Sequence, residues 1–322
     1  MKSVLYVFFA LFISFTVSAD YSAHPAADAF VAKMVENHGF SEAEIRDALS
    51  KAEKKDSILK AISRPAEKTL TWAKYSKIFL TEKRIENGHK FMATHAETLA
   101  RAEEEYGVPK EIITAIIGVE TRYGGNMGSF RVIDALATLG FDYEPRSKFF
   151  TKELEEMFLL AREQKFDPLK LKGSYAGAMG YGQFISSSYR HYAVDFDGDD
   201  VADILNNPVD AIGSVANYFK AHHWKTGRPV AAQVEFGDFA FQSFLQKKLK
   251  PKYSMTDLRE KGFDQFQSVS DEEPTRVLSL QGNDGEEQWL AWHNFYVITR
   301  YNHSHLYAMA VYQLSQEFIT EK

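Results

Sequence analysis

Ile112-Ile113-Thr114-Ala115-Ile116-Ile117-Gly118-Val119-Glu120, followed by Thr121-Arg122-Tyr123-Gly124-Gly125, is the stretch on which the reading of this chain turns. Ile112, Ile113, Ile116, Ile117 and Glu120 recur at three- and four-residue spacing. That spacing predicts a helix with a carboxylate on its apolar face. An ionised carboxylate in such a place is costly unless paired, so burial pushes the group toward its neutral form. A neutral carboxyl group near working pH suits a general acid for glycosidic cleavage. The alternatives are that Glu120 turns out to solvent at the helix end, or pairs with Arg122. Pro109 suits the first turn of this helix, and Gly124-Gly125 is expected to end it.

Helical patterns surround the stretch. Ser41 to Glu44 fits a capping box opening a short helix through Leu49. Thr71–Phe79, Thr81–Tyr106, Ile133–Leu139, Ser147–Gln164, Pro208–His222 and Ser304–Phe318 also read as helices. A glycine-rich loop runs from Gly173 to Phe184; its glycines allow close approach to a ligand, or simply tight packing. After Arg228-Pro229 the character changes. Arg276–Leu280 and Gln288–Arg300 look strand-like, joined by a turn at Gly282–Gly285, so Val230 to Tyr301 reads as a small β-containing insertion.

The N-terminus reads as an export signal. Lys2 is followed by an apolar run from Val4 to Val17, and Val17-Ser18-Ala19 suits cleavage before Asp20. The run is short for a membrane span. There is no cysteine, hence no disulfide and no lipid-accepting residue after the signal. A soluble exported protein is expected, periplasmic in a Gram-negative cell. The formal net charge is −6, one unit more negative once Lys2 is removed, which argues against nucleic acid as the main partner.

Asp195-Phe196-Asp197-Gly198-Asp199-Asp200-Val201-Ala202-Asp203 is the second strong signal. Oxygen ligands at alternate positions, a backbone carbonyl at the seventh and an Asp at the ninth match the first part of an EF-hand loop. Crowded carboxylates call for a cation, and calcium suits an all-oxygen set. The match departs from the pattern twice: Asp200 stands at the usual Gly, and Asn206 at the usual bidentate Glu. Asp210 is the candidate replacement, and a solvated acidic turn is the alternative. The chain also carries 16 Tyr and 4 Trp, whose flat rings suit sugar faces, although most such residues serve in cores. No HExxH, Walker loop or GxSxG occurs, and His222-His223 lacks a partner pattern. No second carboxylate lies beside Glu120 in sequence; Asp134 and Asp142 are candidates in space.

Taken together, Val119–Gly124, Gly173–Phe184, Asp195–Asp203, Pro208–Phe219, Arg300–Ser304 and Tyr307–Val311 closely resemble the lytic murein transglycosylase B family. The resemblance spans roughly Pro25 to Leu314. It implies cleavage of the β-1,4 bond between N-acetylmuramic acid and N-acetylglucosamine without water, leaving a 1,6-anhydro sugar. One Glu acts first as acid and then as base. The implied fold is α+β, mainly α: a lysozyme-like catalytic core, a helical domain made from both chain ends, and a small β domain. The expected boundaries are signal 1–19, N-terminal helical domain 20–106, core 107–229 with the EF-hand-like loop 195–210, β-containing domain 230–301 and C-terminal helix 302–322. By resemblance, Glu120 is the acid/base. Tyr75, Arg146, Ser174, Gln183, Tyr218, Tyr301 and Tyr307 bind the glycan or hold the site. Asp195, Asp197, Asp199, Val201 through its carbonyl, and Asp210 bind structural Ca²⁺, with no organic cofactor. Pro145 replaces an Arg of the family motif beside Arg146, which bears on peptide-stem contacts. Peptidoglycan strands are the implied substrate, cell-wall synthases or penicillin-binding proteins the partners, and a monomer the expected state.

Overall fold

A computed structural model describes residues 20–63, 70–235, 241–263 and 265–319. The proposed signal, residues 1–19, lies outside them. No helix among the described residues is long and apolar enough to cross a membrane.

The described residues are mainly helical with two small sheets. It opens with α1 (Ala27–His38), α2 (Glu42–Ser50) and α3 (Asp56–Ile62), then α4 (Trp72–Phe79), α5 (Glu82–Thr94), α6 (Ala96–Tyr106) and α7 (Lys110–Thr121). The two-residue strands β1 (Phe130–Arg131) and β2 (Lys172–Gly173) pair antiparallel around α8 (Val132–Asp142) and α9 (Ser147–Glu163). Next come α10 (Ser186–Tyr192) and α11 (Pro208–Ala221). The β-containing part holds β3 (Ala231–Val234), α12 (Phe241–Phe244), β4 (Tyr253–Ser254), α13 (Met255–Arg259), β5 (Pro274–Gln281) and β6 (Glu286–Ala291). Its sheet has the order β3-β6-β5-β4. Helices α14 (His293–Tyr301) and α15 (His305–Gln316) close the fold.

Three hydrophobic clusters organise these elements. The first gathers the inner faces of α4 to α7, α11, α14 and α15. The second joins α1 to α3 to α8, α9 and α10. Helices between residues 20 and 106 therefore divide between two clusters rather than sharing one. The third fills the β-containing part with Val234, Phe241, Phe244, Met255, Leu258, Val277, Leu290 and Trp292. The sheet is covered on both faces: Val277 and Leu290 face the third cluster, while their neighbours Leu278, Leu280, Trp289 and Ala291 face the first. Double coverage removes the polar alternation that marks a half-exposed strand.

Several local expectations change. The helix expected over Thr81–Tyr106 breaks at His95, whose backbone (φ −114°, ψ 28°) leaves the helical range with no Pro or Gly to announce it. The strand expected over Gln288–Arg300 stops at Ala291, and His293–Tyr301 is a helix. Asn294, Phe295, Val297 and Ile298 are buried at helical spacing there; a short run rich in aromatic and β-branched residues does not by itself distinguish the two periods. Ser41 Oγ accepts the Glu44 backbone N–H at 3.1 Å, which is one half of a capping box. Pro109 is the N-cap of α7 rather than a first-turn residue.

Candidate active site

Helix α7 is almost wholly buried from Ile112 to Val119, and Glu120 emerges half-buried at its end. The helix does not end at Gly124-Gly125. Arg122 and Tyr123 already take left-handed backbone conformations, φ 55° and 61°, which ordinary side chains seldom adopt. Arg122 N–H donates to Gly118 O and Tyr123 N–H to Ile117 O, so the last carbonyls of α7 are satisfied without glycine at the turn. Thr121 locks this end: its hydroxyl lies 3.1 and 3.0 Å from Ile117 O and Tyr181 O, sharing its one proton between them, while accepting from Gly124 N–H. Tyr123 then folds back and donates to Arg84 O at 2.9 Å. A Cβ on Gly118 would sit 2.6 Å from the Tyr123 hydroxyl, and one on Gly88 2.7 Å from it, so both positions require glycine.

The partner that orients Glu120 comes from the other end of the chain. Tyr307 Oη donates to Glu120 Oε1 at 2.5 Å. Tyr307 is 2% exposed. Burial, and then the Glu120 charge, hold its hydroxyl well above the usual phenol range, so the proton stays on the phenol. Tyr301 is pushed up for the same two reasons, in the same order. The Tyr301 and Tyr307 rings lie nearly parallel, 6.4 Å apart and 11° from coplanar.

Tyr301 Oη donates to Gly182 O at 2.5 Å, tying α14 to the glycine-rich loop. That loop is shaped by packing: a Cβ on Gly182 would lie 2.8 Å from the Tyr301 hydroxyl. Ser174 Oγ accepts the backbone N–H groups of Ala176 and Ala178. Gln183, itself at φ 49°, donates from Nε2 to Met127 O and Gly180 O. Tyr218 lies 4.7 Å from Tyr301 and stacks on His222 at 4.0 Å; its hydroxyl donates to Arg300 O. Tyr75, 3% exposed, packs beside Phe79 in the first cluster, and its charge when ionised would act on Tyr307. Arg146 stands apart from this group. It is exposed between α8 and α9, its guanidinium 4.1 Å from the Phe149 ring centre.

Neither suggested second carboxylate joins Glu120. Asp134 accepts from Arg131 and from Glu53 N–H. Asp142 accepts from Tyr21 and Lys54. Both pin the N-terminal segment onto α8, a structural use that sequence separation concealed. Residues not singled out beforehand include Thr121, Tyr123, Tyr181 and Gly182. Their sequence signal was adjacency to the Glu120 and glycine-rich motifs.

A metal-ligating group lies on the loop before α11. Carboxylate oxygens of Asp195, Asp197, Asp199 and Asp210 fall within 4.8 Å of one another. Asp195 accepts the N–H groups of Gly198, Asp199 and Asp200. Asp210, fully buried, accepts those of Phe196 and Asp203. Asp200 occupies the turn at φ 70°, where its short polar side chain is tolerated better than most. Asn206 points its amide at Asp203, and Asp203 caps the N–H groups of Leu205 and Asn206. Position twelve of the EF-hand pattern thus faces away, and Asp210 brings a carboxylate to the cluster from α11. Four converging carboxylates form an all-oxygen donor set that fits a hard divalent cation.

The transglycosylase SLT domain model matches residues 22–316. The chain is 45% identical over 309 residues to the membrane-bound lytic murein transglycosylase B of Escherichia coli (strain K12), covering 93% of this chain and 84% of that one. Among solved structures, soluble lytic transglycosylase SltB1 from Pseudomonas aeruginosa is 51% identical with a TM-score of 0.87, covering 91% of this chain and 98% of that one. Escherichia coli lytic transglycosylase Slt35, solved in complex with calcium, is 45% identical with a TM-score of 0.85, covering 94% and 95%. The chain belongs to this family of lytic murein transglycosylases, with their lysozyme-like fold.

Proposed function

We propose that this enzyme cleaves the MurNAc-β-1,4-GlcNAc bond of peptidoglycan with Glu120 as its single acid and base, leaving 1,6-anhydro-MurNAc ends. The carrying observation is the pairing of Glu120 with the Tyr307 hydroxyl at 2.5 Å, on a rigid helix end, with Asp134 and Asp142 engaged elsewhere. A carboxyl group so oriented, with neither Asp134 nor Asp142 beside it, suits intramolecular displacement better than a two-carboxylate hydrolysis.

The reaction runs in two proton transfers. Glu120 donates its proton to the glycosidic oxygen as the bond to C1 of the muramic residue breaks. The C6 hydroxyl of the same residue then closes on C1, and its proton passes to Glu120. The carboxyl group ends as it began. General acid–base catalysis contributes about 10² to 10⁴-fold, and holding the C6 hydroxyl against C1 supplies an entropic advantage over attack by water.

The remaining candidates support this centre. Tyr307 orients the carboxyl group, with Tyr75 behind it. Tyr301 fixes the glycine-rich loop, where Ser174 and Gln183 shape the wall of the sugar cleft. Tyr218 forms part of the aromatic floor. Arg146 is the exposed candidate for an acidic peptide stem. Asp195, Asp197, Asp199 and Asp210, with the Val201 carbonyl, would hold Ca²⁺ and brace the loop before α11. The enzyme works in the periplasm as an exported monomer with 1–19 as its signal, alongside cell-wall synthases. A three-part division into helical, catalytic and β-containing domains suits the motif positions.

Mass spectrometry of muropeptides released from purified sacculi tests the reaction. Wild type is expected to release anhydro-ended products, and Glu120→Gln to keep its fold and release less than a hundredth as much (roughly two decades, from the general acid–base range). Products heavier by one water would overturn the transglycosylase reading, and retained turnover would overturn the Glu120 assignment.

A further inference from the structure

A basic cluster lies where α5 packs on the last turn of α7. Arg84 keeps 7% of its surface, and its guanidinium stands 5.0 Å from the Phe79 ring centre. Nη1 donates to Gly118 O at 3.2 Å. Arg122 N–H donates to the same carbonyl, so the buried guanidinium and the Arg122 backbone meet at one oxygen. Gly118 O is the acceptor of the Arg84 guanidinium among the described residues. Yet no Arg84 nitrogen is among the fully covered polar atoms that lack a partner. Nε and Nη2 therefore keep surface open to a ligand. Burial, and then the Arg122 charge, hold the Arg84 pKa below the usual guanidinium range, and no carboxylate is among the groups that offset them.

Arg84 lines a cavity of about 370 Å³ together with Thr81, Lys83, Asn87 and Arg122. Lys83, Arg84 and Arg122 are its cations, and no carboxylate is among the described lining residues. Lys83 has Glu86 at 3.8 Å, both well exposed. The field gains from α5 itself. Thr81 is the N-cap of this 13-residue helix and accepts the Arg84 backbone N–H, so the positive end of the helix dipole meets the cavity. Glu82, in the same first turn, is exposed and is not among the lining residues. The Thr81 hydroxyl keeps its proton to donate, and the Asn87 amide offers further donors. No residue assigned above to the glycan is among the described lining residues.

The geometry assigns this cavity to a phosphate oxyanion. Guanidinium forks match phosphate oxygens two bonds at a time. The volume holds such an anion with several waters, each taking roughly 30 Å³ of liquid. Free phosphate and the headgroup of an anionic phospholipid carry the same chemistry. Bound there, the anion draws together Arg84 and Arg122, both joined to Gly118 O, and braces the turn of α7 from which Glu120 projects. The site lies outside the reaction proposed above and does not depend on it.

The test is calorimetric titration of the full mature chain with inorganic phosphate, against chloride at equal ionic strength. Arg122→Asn and Arg84→Met are titrated alongside. Asn tolerates the left-handed backbone of position 122, φ 55°, so Arg122→Asn keeps the fold and decides alone should Arg84→Met misfold. Wild type is expected to bind phosphate saturably and to unfold at higher temperature in its presence. Both variants are expected to bind at least about tenfold more weakly, as befits losing a hydrogen bond to a charged group. Sedimentation with phosphatidylglycerol vesicles separates the sources. Retention that phosphate displaces would identify the lipid headgroup, and phosphate binding without retention the free ion; both uphold the cavity. A wild type that binds neither phosphate nor vesicles would overturn the site. Wild-type affinity in folded Arg122→Asn would overturn it too, because the anion would then sit elsewhere.

Discussion

Tyr307→Phe removes one oxygen and leaves the ring stacked on Tyr301. The lost atom is the donor to Glu120 Oε1 at 2.5 Å. Once Glu120 has given up its proton, the hydrogen bond it accepts is one to a charged group, worth about 1.5–3 kcal/mol. At about 1.36 kcal/mol per decade of rate, full use of that energy in positioning Glu120 corresponds to a fall of about 10- to 150-fold in kcat/KM. Stability should change by only about 1 kcal/mol, because one buried hydroxyl is lost without a cavity. The assay is the initial rate of anhydro-ended muropeptide release from sacculi below saturation, with thermal unfolding of the same preparations alongside. A variant that folds normally and turns over within twofold of wild type would refute the reasoning, since Glu120 would then be held in place by other groups.

Two further outcomes follow from particular contacts. Calcium at a hundred times its Kd should stabilise the native chain by about 2.7 kcal/mol; with an unfolding entropy of about 2.1 cal/mol/K per residue over about 300 residues, Tm should rise by about 4 °C. Superimposable melts with EGTA and with calcium, after complete metal removal, would remove the metal from the account. Burial raises the Glu155 carboxyl, but the hydrogen bonds from Lys33 and His38 outweigh it and hold the group below the usual carboxylate range. A depressed folded-state pKa means stabilisation that is present above the unfolded value, about 4.3, and lost as pH falls through the folded one. Glu155→Gln should therefore lower stability near neutral pH and flatten its decline in acid, measured by urea unfolding from pH 3 to 7 (roughly the span of carboxylate titration); an unchanged acid slope would count against the pair.

Where side-chain identity and short-range periodicity carry the information, the chain is legible from its residues. The isoleucine repeat places Glu120 on its helix face, because helix geometry alone decides which residues are neighbours. Asp195, Asp197 and Asp199 are legible because they are local, four positions apart at most. Tertiary structure decides what lies far apart in the chain. Tyr307 meets Glu120 across 187 positions, and Asp210 enters the aspartate cluster only because α11 packs beneath the loop. The run from His293 to Tyr301 is a helix because Phe295, Val297 and Ile298 find the first cluster, and periodicity over nine residues cannot choose between partners it does not specify. Asp134 and Asp142 were indistinguishable in sequence from catalytic candidates; only packing of the N-terminal segment on α8 gives them partners. Arg276 is the clearest case. In the sequence it opens an apolar strand, and its charge is buried, without an ion pair among the described residues, because the sheet is covered on both faces.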